Sequence, residues 1–116
     1  MPHIVVEYSE SLAEAFDREG FAVAFHPAAA ELIGSSLPGF KTRFVRLGEA
    51  VLGAGGAMVH VQVAILPGRD EALKAQLGEL ALGVLAEHLK PVPGLTAQLT
   101  CEVRDLGTYS KLTVEG

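Results

Sequence analysis

The sequence is poor in the residues and segments that mark several large classes of protein. It has one cysteine, Cys101, and no tryptophan, so an intrachain disulfide framework is excluded and a reducing compartment is expected. Lysine and arginine total 9 against 14 aspartate and glutamate, for a formal charge of −5. Because this acidic balance contains no basic run, nucleic acid and an anionic membrane surface are not expected as partners.

Long hydrophobic runs are also missing. The apolar stretches are interrupted within about ten residues, well short of the ~20 that a membrane span requires. The opening Met1-Pro2-His3 lacks the basic and apolar segments of a secretory signal. We therefore expect a cytoplasmic protein.

The material for a core is present. Hydrophobic residues make up 49% of the 116 residues and charged residues 20%, a composition that favours a folded protein over a disordered one. The length predicts a single domain over residues 1–116.

The first half of the chain has a strand-helix-strand pattern. Residues 2–8 are β-branched and apolar, which predicts a strand. Apolar spacings of three and four predict a helix over 17–33, in which Pro27 should cause a kink or a local restart. Residues 10–16 fit either an extension of this helix or a separate turn. Alternation over 40–47 predicts a second strand.

The second half repeats this pattern. A strand is predicted over 58–66, with Val59, Val61, Val63 and Ile65 on one face. Asp70 is the expected N-cap of a helix over 71–89, and a further strand follows over 96–106. A shift of about 56 residues lays the segment 2–47 over the segment 58–106, which indicates an internal repeat.

Two such repeats predict an α+β fold, in which tandem βαβ units form a four-stranded mixed sheet with both helices on one face. We expect the uncovered face to carry valine and isoleucine as an apolar patch. Such a patch usually marks an oligomer interface, and three faces closing around an axis would bury it in a homotrimer. The tail 108–114 is a candidate fifth strand that pairs with a neighbouring subunit.

Pro2 is the first candidate for chemistry. Removal of Met1, which is usual before a residue as small as proline, leaves a free secondary amine at the start of a core strand. An α-amino group titrates near ~7.7–8.0, and burial lowers that pKa further. The amine would then be neutral at physiological pH, as a general base should be. Without that removal, Pro2 merely starts a strand.

Arg69 is the second candidate. It precedes the expected N-cap Asp70, so its guanidinium is expected near the positive end of the second helix, where anions bind. The alternative is a solvated turn arginine. The four histidines are scattered without the spacing of metal ligands, and 53–56 lacks the context of a phosphate-binding loop, so neither a metal site nor a phosphate site is expected.

Three segments together resemble the 5-carboxymethyl-2-hydroxymuconate isomerase family of the tautomerase superfamily. They are Met1 to Ser9, Phe40-Lys41-Thr42-Arg43, and Val59-His60-Val61 followed by Pro67-Gly68-Arg69. The resemblance covers nearly the whole chain. It implies a homotrimer with an amino-terminal proline, here Pro2, as catalytic base. It also implies cofactor-free isomerisation of an unsaturated dicarboxylic or tricarboxylic enol.

The resemblance further implies arginines that bind the carboxylates of the substrate. Arg69 lies where the family has an arginine after a small turn. Lys41 lies where the family has a second arginine. Lysine keeps the charge but loses the bidentate grip on a carboxylate, so either Lys41 serves less selectively or Arg43 replaces it. The chain is also shorter at its C-terminal end than the family member to which it is compared, which puts a contribution of the tail to the site in doubt.

The implied reaction moves a proton from the 2-hydroxyl of a dienol to a distant carbon, giving a 2-oxo-3-ene acid. A non-catalytic alternative is a ferredoxin-like module that binds small ligands between subunits, since tandem βαβ units also occur there. A free Pro2 nitrogen that lines a pocket with Arg69 would distinguish the enzyme from the module.

Overall fold

The computed structural model describes residues 1–116 and confirms the α+β fold class. The chain forms the following elements in order: β1 (His3–Ser9), α1 (Arg18–Ile33), β2 (Lys41–Leu47), β3 (Ala57–Ile65), α2 (Glu71–Glu87) and β4 (Ala97–Asp105). Short 3-10 turns at Glu10–Leu12 and Leu37–Gly39 precede α1 and β2. The first turn resolves the ambiguity over residues 10–16, because it is separate from α1.

The strands form one mixed sheet in the order β2-β1-β3-β4. Within each half the two strands are parallel, and the central strands β1 and β3 are antiparallel. A parallel pair requires a crossover, which α1 and α2 provide. Because β1 is central, the residue before it, Pro2, lies at the middle of one sheet end.

α1 begins and ends as its sequence predicts, although its interior differs. Asp17 caps it by accepting a hydrogen bond from the N–H of Gly20, and Gly34 ends it with a φ of 65°, a conformation that favours glycine. The expected restart at Pro27 is absent, since the helix continues through it. Pro27 and Val23 are both exposed, so water can reach the Val23 carbonyl that lacks its helical partner.

α2 has the predicted N-cap. The carboxylate of Asp70 accepts a hydrogen bond of 2.9 Å from the N–H of Leu73, which satisfies one of the free donors at the helix start. One turn along, the ammonium of Lys74 contacts Glu71 and Asp105, each at 3.1 Å. This pair of contacts ties the start of α2 to the end of β4.

The core lies between the sheet and the two helices. Alternate residues of β1 and β3 are buried, as the predicted face of Val59, Val61, Val63 and Ile65 requires. The helices contribute the fully buried Phe21, Phe25 and Leu77 to the same cluster. Every second residue of the central strands and about every fourth residue of the helices is therefore buried, and these side chains form one apolar layer between the sheet and the helices.

The uncovered face of the sheet is mainly polar, although Val5 and Ala64 also lie on it, so the expectation of a large apolar patch there is wrong. Valine and isoleucine of β3 share one parity and all face the helices, which leaves His60 and Gln62 on the other face. Each bonds to its neighbour on β4: His60 Nδ1 lies 2.7 Å from Thr100 Oγ1, and Gln62 Nε2 donates to Glu102 Oε1 at 3.3 Å. The trimer was expected because it would bury an apolar sheet face. Since no large apolar patch lies there, that reason no longer holds, and the trimer stays a prediction.

The tail after β4 forms no strand in the isolated chain. Its start is held by a hydrogen bond of 2.7 Å from the N–H of Leu106 to the carbonyl of Ile65. Leu112 and Val114 are exposed by 89% and 85%. Pairing of 108–114 with a neighbouring subunit remains a prediction.

The two helices are too short or too polar to cross a bilayer.

Candidate active site

Pro2 is buried at the point where β1 begins. Its carbonyl accepts a hydrogen bond of 3.1 Å from the N–H of Lys41, so the proline is held by the first bond of the β1–β2 ladder. The buried Gly39 lies beside it, where a Cβ would collide with the amino nitrogen of Met1. Close approach of the chain start thus requires glycine at this position.

Three cations surround the amino terminus. The pKa of the Met1 amine is lowered by burial first and then by the positive charges of Lys41, Lys111 and Arg69. The chain has only 9 lysines and arginines and an excess of acid, yet three of these cations affect the pKa of this one amine. Burial and like charge both disfavour the ammonium form, and the same charges attract an anionic ligand.

Arg69 is fixed by backbone carbonyls. Its Nη2 donates to Ile33 O at 3.0 Å and its Nη1 to Leu66 O at 3.3 Å. The guanidinium therefore satisfies the last carbonyl of α1, at the negative end of that helix, rather than lying free near the start of α2. A guanidinium has five N–H donors, so after these two bonds three remain for a ligand.

Lys41 and Arg43 lie on the same face of β2, since residues two apart in a strand do. The ammonium of Lys41 donates to Gly39 O at 3.2 Å, next to the chain start. Arg43 Nη1 instead lies 3.2 Å from His3 Nδ1, and Arg43 is not among the charges that lower the pKa of the Met1 amine. The structure thus brings Pro2, Arg69 and Lys41 together and places Arg43 to one side.

Lys111 is a further cation near the chain start that the sequence did not reveal. It lies in the tail, which bends back because the hydroxyl of Tyr109 is 2.8 Å from His3 Nε2 and the two rings meet edge-on at 5.5 Å. These partners are 106 residues apart, and no local pattern signals such a contact. The tail therefore brings a positive charge towards the chain start.

His3 is neutral and has one tautomer. A guanidinium can only donate, so His3 Nδ1 accepts from Arg43 and His3 Nε2 carries the hydrogen and donates it to the hydroxyl oxygen of Tyr109. The pKa of His3 is lowered by burial, then by Arg43, Lys41 and the amino terminus. The neutral ring links the site to the tail without adding another charge.

His26 supports the site from α1. Its Nε2 lies 2.6 Å from Thr42 Oγ1, and its ring packs on Phe40 with 5.4 Å between centroids. Phe40 and Thr42 flank Lys41, so these contacts fix the strand on both sides of the lysine. Burial lowers the pKa of His26.

Other reactive groups do not form a site. Burial, and then Glu102, raises the pKa of the Cys101 thiol to about 11, which disfavours the nucleophilic thiolate at neutral pH. No three histidine, cysteine or acidic side chains cluster as metal ligands do.

Two βαβ units on one four-stranded mixed sheet form a tautomerase-like fold. A family model described as 5-carboxymethyl-2-hydroxymuconate isomerase matches residues 2–111. The chain belongs to the 5-carboxymethyl-2-hydroxymuconate isomerase family, which is a family of isomerases.

Solved structures share the fold. A 5-carboxymethyl-2-hydroxymuconate isomerase from Deinococcus radiodurans R1 is 24% identical with a TM-score of 0.76, over 97% of this chain and 90% of that one. A 5-carboxymethyl-2-hydroxymuconate delta-isomerase is 17% identical with a TM-score of 0.81, over 99% and 89%. A fused 4-OT wild-type symmetric trimer is 12% identical with a TM-score of 0.69, over 90% and 86%.

No curated protein matches the chain by sequence.

Proposed function

We propose that the protein is a cofactor-independent isomerase that converts a 2-hydroxymuconate-type dienol, 5-carboxymethyl-2-hydroxymuconate, into its 2-oxo-3-ene isomer. The observation that carries this proposal is the buried chain start beside Lys41, whose ammonium donates to Gly39 O at 3.2 Å. Lys111 and Arg69 add positive charge that lowers the pKa of the Met1 amine. A polycarboxylate enol needs cations to bind it and a base to move its proton. This end of the sheet supplies the cations and, once Met1 is removed, the amine of Pro2 as the base.

The base is the amine of Pro2 in a chain that has lost Met1. While Met1 is attached, the Pro2 nitrogen is a tertiary amide with no basic lone pair. After its removal, the secondary amine lies at a buried residue, close to the cations that already lower the pKa of the Met1 amine. Both effects favour the neutral amine, which is the form that accepts a proton.

The cations bind the carboxylates and the developing oxyanion. Arg69 is held rigidly by two backbone carbonyls and keeps three donors free, so it offers a preorganised fork to a carboxylate. Lys41 is tied to Gly39 and supplies a second charge, and Lys111 a third. Between the two strand candidates the geometry favours Lys41 over Arg43, because the ammonium of Lys41 bonds to Gly39 O beside the chain start, whereas Arg43 lies against His3.

The reaction is a proton transfer with no change of oxidation state. The Pro2 amine removes the proton of the 2-hydroxyl, the electron pair forms the 2-oxo group, and the double bonds shift along the chain. The resulting carbanionic carbon takes the proton back from the prolinium. Arg69 and Lys41 stabilise the negative charge on the 2-oxygen while the proton is on nitrogen.

The working form is proposed to be a homotrimer. One neighbour of the same fold is described as a symmetric trimer. In the single chain, β2 and β4 each have a free edge, and an unpaired edge is a template for another strand. The tail 108–114 is the proposed partner for such an edge.

A direct assay tests the proposal. Purified protein that begins at Pro2 is mixed with 5-carboxymethyl-2-hydroxymuconate and, separately, with 2-hydroxymuconate, and the loss of dienol absorbance is followed against the uncatalysed rate. Acceleration that is abolished by blocking the amine supports the isomerase. Binding of both acids without acceleration would contradict it and favour the ferredoxin-like binding module.

A further inference from the structure

The uncovered face of the sheet carries a depression of 280 Å³. Its rim contains the long side chains of His3, Arg43, Gln62, Arg104 and Tyr109, and its floor contains the apolar Val5, Ala64 and Leu106. None of these apolar residues takes part in the proposed isomerisation. The depression is therefore a separate feature to explain.

The depression follows from the strand register. Val5 on β1 pairs with Gln62 on β3, and Ala64 pairs with His3, so two short side chains lie at the centre of the sheet. Arg43 is on β2 and Arg104 is on β4, the two outer strands. Three strand spacings and a register offset of two residues put their backbones about 16 Å apart, and both side chains border the same hollow.

The two arginines have no acidic partner. The salt bridges of the chain all involve Lys74. Arg43 contacts only His3 Nδ1 through its side chain, and the guanidinium of Arg104 has no hydrogen bond within the chain. Glu102, the acidic residue two before Arg104, accepts from Gln62. Both guanidiniums at this hollow therefore have N–H donors free to bind an anion.

Tyr109 supplies a further donor. Its oxygen accepts the hydrogen of His3 Nε2, and a hydroxyl that accepts one bond keeps its own hydrogen to donate. The hydroxyl lies at the rim beside Arg43 and Arg104. The hollow thus combines charged and neutral donors around an apolar floor.

We propose that this hollow, with Arg43 and Arg104 at its sides and Val5, Ala64 and Leu106 beneath, binds a small aliphatic dicarboxylate. Two guanidiniums match two carboxylates, and the apolar floor matches a hydrocarbon spacer, which a phosphate ion lacks. A volume of 280 Å³ suits a small ligand, near the low end of the range for ligand pockets.

This hollow adjoins the site at Pro2, because Lys41 pairs with His3 on the same face, but Pro2, Lys41 and Arg69 are not among the residues that line it. Pro2 and Ile4 are buried towards the helices, whereas His3 points to the uncovered face, because neighbouring strand residues alternate. The inference therefore does not rest on the proposed isomerase activity. In a trimer that closes around this face, three such sites would surround the axis, so binding is measured on the native assembly and counted per protomer.

Isothermal titration with succinate tests the proposal, because succinate has two carboxylates on a short spacer and no enol to isomerise. Arg104→Gln should weaken succinate binding by about tenfold or more, as expected for the loss of one charge-assisted contact. Lys90→Gln removes one positive charge at an exposed position far along the chain and should change binding less than about twofold. Acetate and inorganic phosphate should bind more weakly than succinate.

Three results would overturn the inference. Equal binding by the Arg104→Gln and Lys90→Gln variants would show that Arg104 does not contact the ligand. Loss of succinate binding in Arg69→Ala with full retention in Arg104→Gln would place succinate at the Pro2 site. Phosphate binding as tightly as succinate would remove the case for a dicarboxylate.

Discussion

The backbone N–H of Lys41 donates a hydrogen bond of 3.1 Å to the carbonyl oxygen of Pro2. The proposed base and a proposed carboxylate ligand thus belong to adjacent strands of one ladder, which continues with His3 paired to Lys41. Strand residues hold their positions better than loop residues. The distance between the amine and this cation is therefore set by the sheet itself.

Lys41→Arg should keep or raise kcat/KM on a diacid substrate. The substitution retains the charge and adds a planar fork that matches a carboxylate. Lys41→Ala should raise KM, because it removes the charge altogether. Steady-state kinetics on both variants check this, and a severe loss in Lys41→Arg would show instead that the site is shaped around lysine.

Arg69→Ala should impair both stability and turnover. The guanidinium bonds to Ile33 O and Leu66 O, so its removal should lower the free energy of unfolding by about 1–2 kcal/mol. Loss of transition-state stabilisation should cost a further ~2–4 kcal/mol in kcat/KM.

Urea unfolding and kinetics on Arg69→Ala separate the two effects, and Arg69→Lys should restore activity only in part. Lys74→Ala is a structural control, because it breaks the contacts with Glu71 and Asp105 without touching the site. A purely structural Arg69 would lower stability while leaving kcat/KM of the folded enzyme unchanged.

Lys111→Gln should shift the pH dependence of kcat/KM. Lys111 lowers the pKa of the Met1 amine, and we expect it to act in the same way on the Pro2 amine of the processed chain. Its removal should then let the pKa of the Pro2 amine rise, so a higher pH is needed for the neutral base. The acidic limb of the profile should therefore move to higher pH, whereas Lys90→Gln should leave it in place. An unmoved limb in Lys111→Gln would exclude the tail from the site.

His26 should make the protein less stable in mild acid. Burial lowers its pKa from the ordinary value of 6.5, so below that value the unfolded chain takes up a proton that the folded chain does not. The free energy of unfolding must then fall as the pH drops. His3 acts in the same direction.

Urea unfolding of wild type and His26→Gln at about pH 7.5 and about pH 5 checks this sign. The variant should lose less stability between the two pH values than the wild type does. An equal loss in both proteins would show that His26 does not contribute.

Local patterns were sufficient to predict the fold. Alternation in 58–66 and the cap at Asp70 depend on neighbours a few residues away, and both are confirmed within one or two residues. The same alternation also predicts polar residues on the uncovered face, because His60 and Gln62 occupy the positions between the valines. The valines and isoleucine of β3 fill the face that packs on the helices, so they cannot also form an apolar patch on the opposite face.

The site was only partly predictable. Pro2, Lys41 and Arg69 lie at element ends that the topology brings together, so a sequence argument reaches them. Lys111 depends on the contact between Tyr109 and His3, and the bond from Arg69 to Ile33 joins residues 36 apart. Long-range side-chain contacts of this kind leave no periodic signal in the sequence.

The central claim is that the amine of Pro2 is the catalytic base. The most direct test compares kcat/KM of chains that begin at Pro2 with that of chains that retain Met1, each verified by intact-mass spectrometry. Because an amide nitrogen cannot accept the proton, chains that retain Met1 should be slower by about 10²–10⁴-fold, the usual contribution of a general base. Equal rates from both forms would contradict the account.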